Sequence, residues 1–238
     1  MSEQKGDEWQ MEKLAEELMA QLNCDTAFTI PIFGGIDVAE SVVVSWVVMA
    51  ILIIFAFCMT RNLKVENPGK RQVVIEMFVT GLQNIVKGII GEEGERYVPY
   101  LVTVMMYIGL SNIIGLLGMK PPTKDLNVTG ALGILSILLI QYANIRAKGT
   151  KGWIKSFAQP VAVVTPINIL ELFIRPLSLC MRLFGNVLGA FVVMELLKAL
   201  VPVIIPIPFS LYFDIFDGFI QAYVFVFLTS LFIKEAVE

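Results

Sequence analysis

Three runs of twenty or more residues without a charged side chain constrain this chain more than any other feature of its sequence. The runs span residues 41–60, 97–118 and 126–145. An α-helix rises about 1.5 Å per residue, so each run covers about 30 Å, the thickness of the hydrocarbon core of a bilayer. A soluble domain carries about a quarter charged residues, whereas this chain has 16% charged and 56% hydrophobic residues. The sequence therefore predicts an all-α integral membrane protein.

The other apolar segments complete the predicted architecture. Residues 166–200 and 209–233 flank a proline-rich turn, and a helix as long as the first would exceed the bilayer thickness unless it tilts. These two helices are therefore predicted to form a long, tilted hairpin. Residues 70–90 carry apolar and polar side chains on opposite faces, a pattern typical of a helix at the membrane surface. We predict five transmembrane helices plus one amphipathic surface helix, in a membrane domain that spans residues 41–238.

The distribution of basic residues predicts the orientation. Of the 18 Lys and Arg residues, this arrangement puts 11 in the cytoplasm, four outside and three at membrane depth. Cytoplasmic loops carry an excess of Lys and Arg, so we expect the N-terminus outside and the C-terminus in the cytoplasm. Residues 1–40 then form an acidic extracytoplasmic segment, which lacks the pattern of a signal peptide. Residues 8–22 fit a short amphipathic helix or a solvated tail equally well.

Composition argues against several other classes of protein. Cys24, Cys58 and Cys180 are too few and too scattered for a disulfide framework. The chain has no His, which removes the commonest metal ligand. Basic patches interleaved with aromatic residues, which mark nucleic-acid binding, do not occur. We therefore expect no metal site, no cofactor and no nucleic-acid partner.

The apolar segment 166–200 carries ionisable residues in the part that is predicted to lie inside the membrane. Such a residue at membrane depth costs a few kcal/mol or more, and is rare unless it faces protein or water and has a function. At about 100° per residue on a helix, four polar or charged residues lie on the same face as Arg182, within about 40° of it. They are Glu171, Arg175, Ser178 and Asn186. Two alternatives stay open: a structural ion pair between Arg182 and Glu171 or Asp217, and an Arg175 that only reaches towards the cytoplasmic interface.

A second polar group lies on the last helix. Asp214, Asp217 and Gln221 cover about 60° of its circumference. Glu195, near the outer end of the preceding helix, brings a further carboxylate towards the same side. Carboxylates on the outer side and an arginine deeper in the membrane are the arrangement of an ion path, although exposure to lipid headgroups would also accommodate Glu195, Asp214 and Asp217. The competing interpretation is a secondary transporter or channel with a polar site at the midplane, and a transporter of that kind predicts internal repeats.

Three short segments have the form of sequence motifs: residues 176–186 read PLSLCMRLFGN, residues 125–129 read DLNVT, and residues 221–225 read QAYVF. They resemble the motifs of a known family, subunit a of bacterial F-type ATP synthases. The resemblance extends in order and spacing over roughly residues 38–234. It departs at Phe191, where many members carry a glutamate; Glu195 is a possible substitute. Asp214 stands where some members have His or Glu.

The resemblance implies a function. Subunit a is a stator subunit that is not catalytic by itself and provides two half-channels to and from the rotating ring of c subunits. The arginine at the position of Arg182 releases the ion from the ring carboxylate and blocks leakage, which couples H⁺ or Na⁺ flow to ATP synthesis. Asn186 and Gln221 match polar positions beside that arginine. The implied partners are the c ring, the b subunits of the peripheral stalk, the rest of the complex and lipid, in the bacterial inner membrane.

Overall fold

The computed structural model describes residues 26–30, 36–61, 63–64, 69–156, 165–200 and 206–237. The described chain is dominated by helices, which are α1 (Glu40–Thr60), α2 (Lys70–Ile90), α3 (Val98–Ile113), α4 (Leu126–Ser156), α5 (Thr165–Leu200), the short α6 (Pro206–Ser210), a π-helix (Leu211–Asp217) and α7 (Gly218–Val237). Six helices of the described residues are long and apolar enough to cross a membrane, because α2 meets this criterion as well. A helical integral membrane protein is confirmed, while five crossings plus a surface helix stays a prediction.

A short antiparallel sheet precedes α1 and was not expected. Strand β1 (Thr26–Ile30) pairs with β2 (Ile36–Ala39). The Thr29 hydroxyl donates a hydrogen bond of 2.6 Å to the carboxylate of Asp37 across the pair. The strands consist largely of β-branched and aromatic residues, which favour extended structure, but they are too short to stand out beside the acidic composition of residues 1–40. The predicted helix over residues 8–22 lies outside the described residues.

Polar contacts join the start of α1 to the segment that precedes α4. Lys120 forms an ion pair of 3.2 Å with Glu40. The Ser41 hydroxyl donates to the buried carboxylate of Asp125, whose other oxygen accepts the Asn127 backbone N–H at 2.8 Å and so caps α4. Most of the remaining α1 surface is apolar and exposed, as expected of a helix that faces lipid. The beginning of α1 and the segment after α3 therefore lie on the same side of the molecule.

The main core lies between α2, α3, α4, α5 and α7. Its fully buried side chains include Val86, Leu101, Ile140, Leu183 and Phe225, one from each of these helices. The two ends of α2 are tied to the segments beside them. Near its start, Gln72 exchanges two hydrogen bonds with the backbone of Lys64, and near its end Lys87 pairs with Glu95.

Close packing against α4 positions α5. The α4 helix extends to Ser156, past its expected end at residue 145, and is interrupted at Gly149, whose φ of 72° favours glycine. At Gly133, an added Cβ would lie 3.0 Å from the backbone oxygen of Pro176, so the two helices nearly touch there. The α5 helix thus has one side on α4 and its Arg182 side exposed.

Candidate functional site

Three of the residues expected in the ion path meet between α5 and α7. The Asn186 side-chain nitrogen donates a hydrogen bond of 2.6 Å to Asp217 Oδ2. The same nitrogen lies 3.5 Å from Gln221 Oε1, at the long limit for a hydrogen bond. Gln221 is only 5% exposed. The structure therefore brings Asn186, Asp217 and Gln221 into one cluster, which we call the outer cluster.

Asp214 lies in the same π-helix as Asp217 of this cluster, three residues before it. The Ser210 hydroxyl donates a hydrogen bond of 2.6 Å to Asp214 Oδ2. The other carboxylate oxygen lies 3.0 Å from the point where a Cβ on Gly115 would sit, so the absence of a side chain at Gly115 makes room for it. Asp214 borders an open cavity of about 670 Å³, together with Asp217 and Gln221 of the outer cluster. Its polar and small lining residues include Asn112, Gly115, Lys120, Asp214, Asp217 and Gln221.

Arg182 is exposed, and it makes no hydrogen bond or ion pair with any residue that the structure describes. The alternative of a structural ion pair named two partners for it. Asp217 accepts its hydrogen bond from Asn186 instead, and Glu171 pairs with Arg175. A guanidinium at membrane depth without a counter-ion is costly unless it meets a partner or water. Within the described chain, Arg182 is therefore available to a group from outside the chain.

A second polar cluster, which we call the inner cluster, joins the first part of α5 to the last part of α7 and contains Glu171, Arg175 and Glu235. Arg175 Nη2 lies 2.9 Å from Glu171 Oε2 on its own helix and 2.9 Å from Glu235 Oε1 on α7. The Arg175 guanidinium also covers the ring of Phe232, with its carbon 4.9 Å from the ring centre. Glu171, Arg175 and Glu235 border a cavity of about 250 Å³. Arg175 thus bridges two helices, which a residue that only reaches towards the interface would not need to do.

Comparison with known proteins identifies the family. The model of the family described as "ATP synthase A chain" matches residues 42–234. A protein of Moorella thermoacetica named "ATP synthase subunit a" is 38% identical over 206 residues, which cover 86% of this chain and 94% of that protein. The chain belongs to the ATP synthase subunit a family. "ATP synthase subunit a 3" of Pelobacter propionicus is 36% identical over 84% of this chain and 88% of its own length. "ATP synthase subunit a 2" of a Bradyrhizobium species is 32% identical over 86% of this chain and 91% of its own length.

The family assignment confirms the resemblance seen in the sequence motifs of subunit a. Together with the apolar helices, it makes this chain a multi-pass membrane protein of an ATP synthase complex. The motif at residues 125–129 has a structural role in this chain, since Asp125 caps α4 and accepts a hydrogen bond from Ser41. Ser178 is exposed, on the same predicted face as Arg182. The side chain of Glu195 lies outside the described part of the structure.

Four residues around the two clusters were not expected from the sequence. Asn112 donates to the Gly218 backbone next to Asp217 and accepts from Thr123, Ser210 donates to Asp214, and Glu235 completes the inner cluster. The Ser-Asn pair inside the apolar run 97–118 was an available signal for Asn112. Ser210 and Glu235 lie at the ends of the last apolar segment, where polar residues are ordinary and carry no signal.

Proposed function

We propose that this chain is the ion-translocating stator subunit of the membrane sector of an F-type ATP synthase, and that it is not catalytic by itself. Its proposed partners are the ring of c subunits, the b subunits of the peripheral stalk and the rest of the complex, in the bacterial inner membrane. In this proposal Arg182 faces the carboxylate of each arriving c subunit and releases the ion from it, which couples H⁺ or Na⁺ flow to ATP synthesis.

The observation that carries this proposal is the exposed Arg182 without a partner in the described chain. A fixed cation favours the ionised form of a carboxylate brought close to it. It also repels a free cation that would pass directly from one side to the other. Release of the ion and a barrier to leakage therefore follow from the same guanidinium.

The two cavities support the proposal of two half-channels. The larger one borders Asp214, Asp217 and Gln221, and the smaller one borders the inner cluster around Arg175. Arg182 lies between them along α5, seven residues after Arg175 and four residues before Asn186. We propose that the larger cavity leads in from outside, with Asp214 and Asp217 as relay carboxylates, and that the smaller one opens towards the cytoplasm.

The surface beside Arg182 supports contact with a helix of a partner. Gly185 and Gly189 follow Arg182 at intervals of three and four residues and are exposed. A Cβ added to either glycine would meet nothing within 4 Å in the chain. Small residues at this spacing let a second transmembrane helix approach closely. We propose that a c-subunit helix packs here, which would bring its carboxylate to Arg182.

The connections between helices support five crossings, and the distribution of Lys and Arg supports an N-terminus outside and a C-terminus in the cytoplasm. The ion pair between Glu40 and Lys120 and the bond between Ser41 and Asp125 join the start of α1 to the segment after α3. The end of α1 and the start of α3 then both lie on the opposite side. Since α2 connects those two points, both of its ends belong to one side, and we propose that it lies at the cytoplasmic surface.

Replacement of Arg182 tests the central claim. Arg182→Ala should abolish ATP synthesis driven by an ion gradient in vesicles that contain the complete complex, because nothing would release the ring carboxylate's ion. Arg146→Ala is the matched control: it also removes an exposed guanidinium from this chain, one whose described bond is to the Tyr142 hydroxyl. The amount of assembled complex should stay near wild type in both variants. Normal synthesis by Arg182→Ala would refute the proposed role.

A further inference from the structure

The helix winding changes at the segment that carries the two carboxylates of the larger cavity. Leu211–Asp217 is π-helical, and the Gly218 N–H that follows it is shared between the carbonyl oxygens of Ile215 and of Phe213, the latter five residues earlier. π-helical turns are rare and often occur at functional sites. A π-helix turns less per residue than an α-helix, because each of its hydrogen bonds spans one residue more. The same residues wound as an α-helix would therefore point Asp214 in a different direction relative to Gly218.

A buried side chain of α3 binds the end of this π-helix. The Asn112 side-chain nitrogen donates a hydrogen bond of 3.2 Å to the carbonyl oxygen of Gly218, and the Asn112 side-chain oxygen accepts one of 2.7 Å from the Thr123 hydroxyl. Asn112 is 4% exposed and Thr123 is fully buried. An amide has distinct donor and acceptor ends, so the Thr123 hydroxyl favours the orientation in which the amide nitrogen points at Gly218.

The fit between the two segments is close at two points, directly after the π-helix and in its middle. A Cβ on Gly218 would lie 2.8 Å from the Cβ of Asn112, a distance too short for a side chain to occupy. One turn after Asn112, the Gly115 position lies against the carboxylate of Asp214. Asn112 thus packs against Gly218, and Gly115 packs against Asp214, when residues 211–217 have the π-helical winding.

We propose that Asn112 is a positioning residue: held by Thr123, it fixes the π-helical winding of Leu211–Asp217 and thereby keeps Asp214 facing the larger cavity beside Gly115. This inference rests on the proposed function to the extent that Asp214 serves as a relay. The winding itself is a property of the fold and is measurable without ion flow.

The test maps which residues of the π-helix face water. Single cysteines replace residues 211–217 one at a time in a complex whose native cysteines have been removed, and a membrane-impermeant maleimide is applied from the outer side. Each is combined with Asn112→Leu, which has no amide, or with Thr123→Val, which loses only the hydroxyl. Ser111→Ala is the matched control, because Ser111 is a fully buried polar residue of the same helix without a hydrogen-bond partner among the described residues.

In the otherwise unchanged chain, cysteine at position 214 should react readily. With Asn112→Leu its reaction should slow by about tenfold, and a neighbouring position should become reactive, since a change of winding turns the segment. Thr123→Val should cause a smaller shift in the same direction, and Ser111→Ala none. With the native Asp214 in place, Asn112→Leu should also slow ion-driven ATP synthesis by about tenfold or more, because a displaced reactive group commonly costs that much.

Two results would overturn the inference. One is an unchanged labelling pattern in both Asn112→Leu and Thr123→Val. The other is loss of ion flow in Asn112→Leu with an unchanged pattern, which would mean that Asn112 acts on the ion directly. If Asn112→Leu does not assemble, the pattern of Thr123→Val decides. Failure of the relay itself is distinguishable, because Asp214→Asn would then conduct normally while the labelling shift persisted.

Discussion

At the scale of single residues, the two carboxylates of the π-helix differ in their hydrogen-bond partners. Asp217 accepts a hydrogen bond from Asn186, and Asp214 accepts one from Ser210. We expect Asp214→Asn to slow ion-driven ATP synthesis by about a hundredfold, since a positioned side chain that transfers protons contributes roughly that much or more. Ser210→Ala keeps the carboxylate and should have a much smaller effect. The measurement is the rate of synthesis at a fixed ion gradient.

A normal rate in Asp214→Asn would contradict this assignment. Asp217→Asn, measured in the same vesicles, would then show whether the relay lies at Asp217. If both variants are normal, Glu195 is the remaining candidate among the expected carboxylates.

Gly115 offers a second test at this scale, because its missing side chain leaves space for a carboxylate. An added Cβ would lie 3.0 Å from Asp214 Oδ1 and 3.4 Å from Pro121 Cγ, so Gly115→Ala should displace Asp214 and slow ion flow. Gly109→Ala is the matched control on the same chain segment, since its nearest contact would be an ordinary 3.8 Å to the Phe219 ring. Equal synthesis rates in the two variants would show that the position of Asp214 is not constrained at Gly115.

At the scale of helices, substitution of an exposed glycine of α5 should have different effects on the stability of the chain and on its contact with a partner helix. Gly189→Leu should leave the isolated chain at least as stable, because a Cβ there meets nothing within 4 Å and leucine gains up to about 1 kcal/mol of helix propensity over glycine. In the complex, the larger side chain should clash with the proposed c-subunit helix and reduce synthesis. Gly81→Leu on α2, which also has open space around its Cβ position, should leave synthesis unchanged.

The outcome that would contradict this prediction is full synthesis by Gly189→Leu in normally assembled complexes. Crosslinking from position 189 to a ring helix gives an independent readout. Loss of the crosslink without loss of synthesis would move the contact to another face of α5.

Helices and functional groups were predictable to different degrees, for physical reasons. The charge-free run 41–60 marks α1 well, because lipid demands apolar side chains on every exposed face. Polar residues that share a face of α5 likewise pointed to Arg182 and Asn186, and a polar group on the last helix pointed to Asp217, which Asn186 contacts. The π-helical winding depends on the buried bond from Asn112 to Gly218 and on the tertiary fit at Gly115. Neither contact has a local pattern, so the sequence alone could not reveal them.

At the scale of the whole molecule, α5 and α7 contact each other through two polar clusters with Arg182 between them. The Asn186–Asp217 bond joins the outer parts of the helices, and the Arg175–Glu235 pair joins the inner parts. Each cluster borders its own cavity. In the proposed function these two cavities serve as the half-channels, and a carboxylate of the partner ring that moves past Arg182 completes the path between them.

The side of the membrane on which each loop lies follows from the same architecture and is directly testable. Single cysteines at Lys70 and Glu93, at the two ends of α2, should both react with an impermeant reagent only from the cytoplasmic side. The reason is that the segment after α3 is bonded to the start of α1, which puts the end of α1 and the start of α3 together on the opposite side. A cysteine at Lys120 should react only from the outside. Right-side-out and inverted vesicles, labelled in parallel, make the comparison. If the cysteines at 70 and 93 react from opposite sides, α2 crosses the membrane and the proposed arrangement of five crossings is wrong.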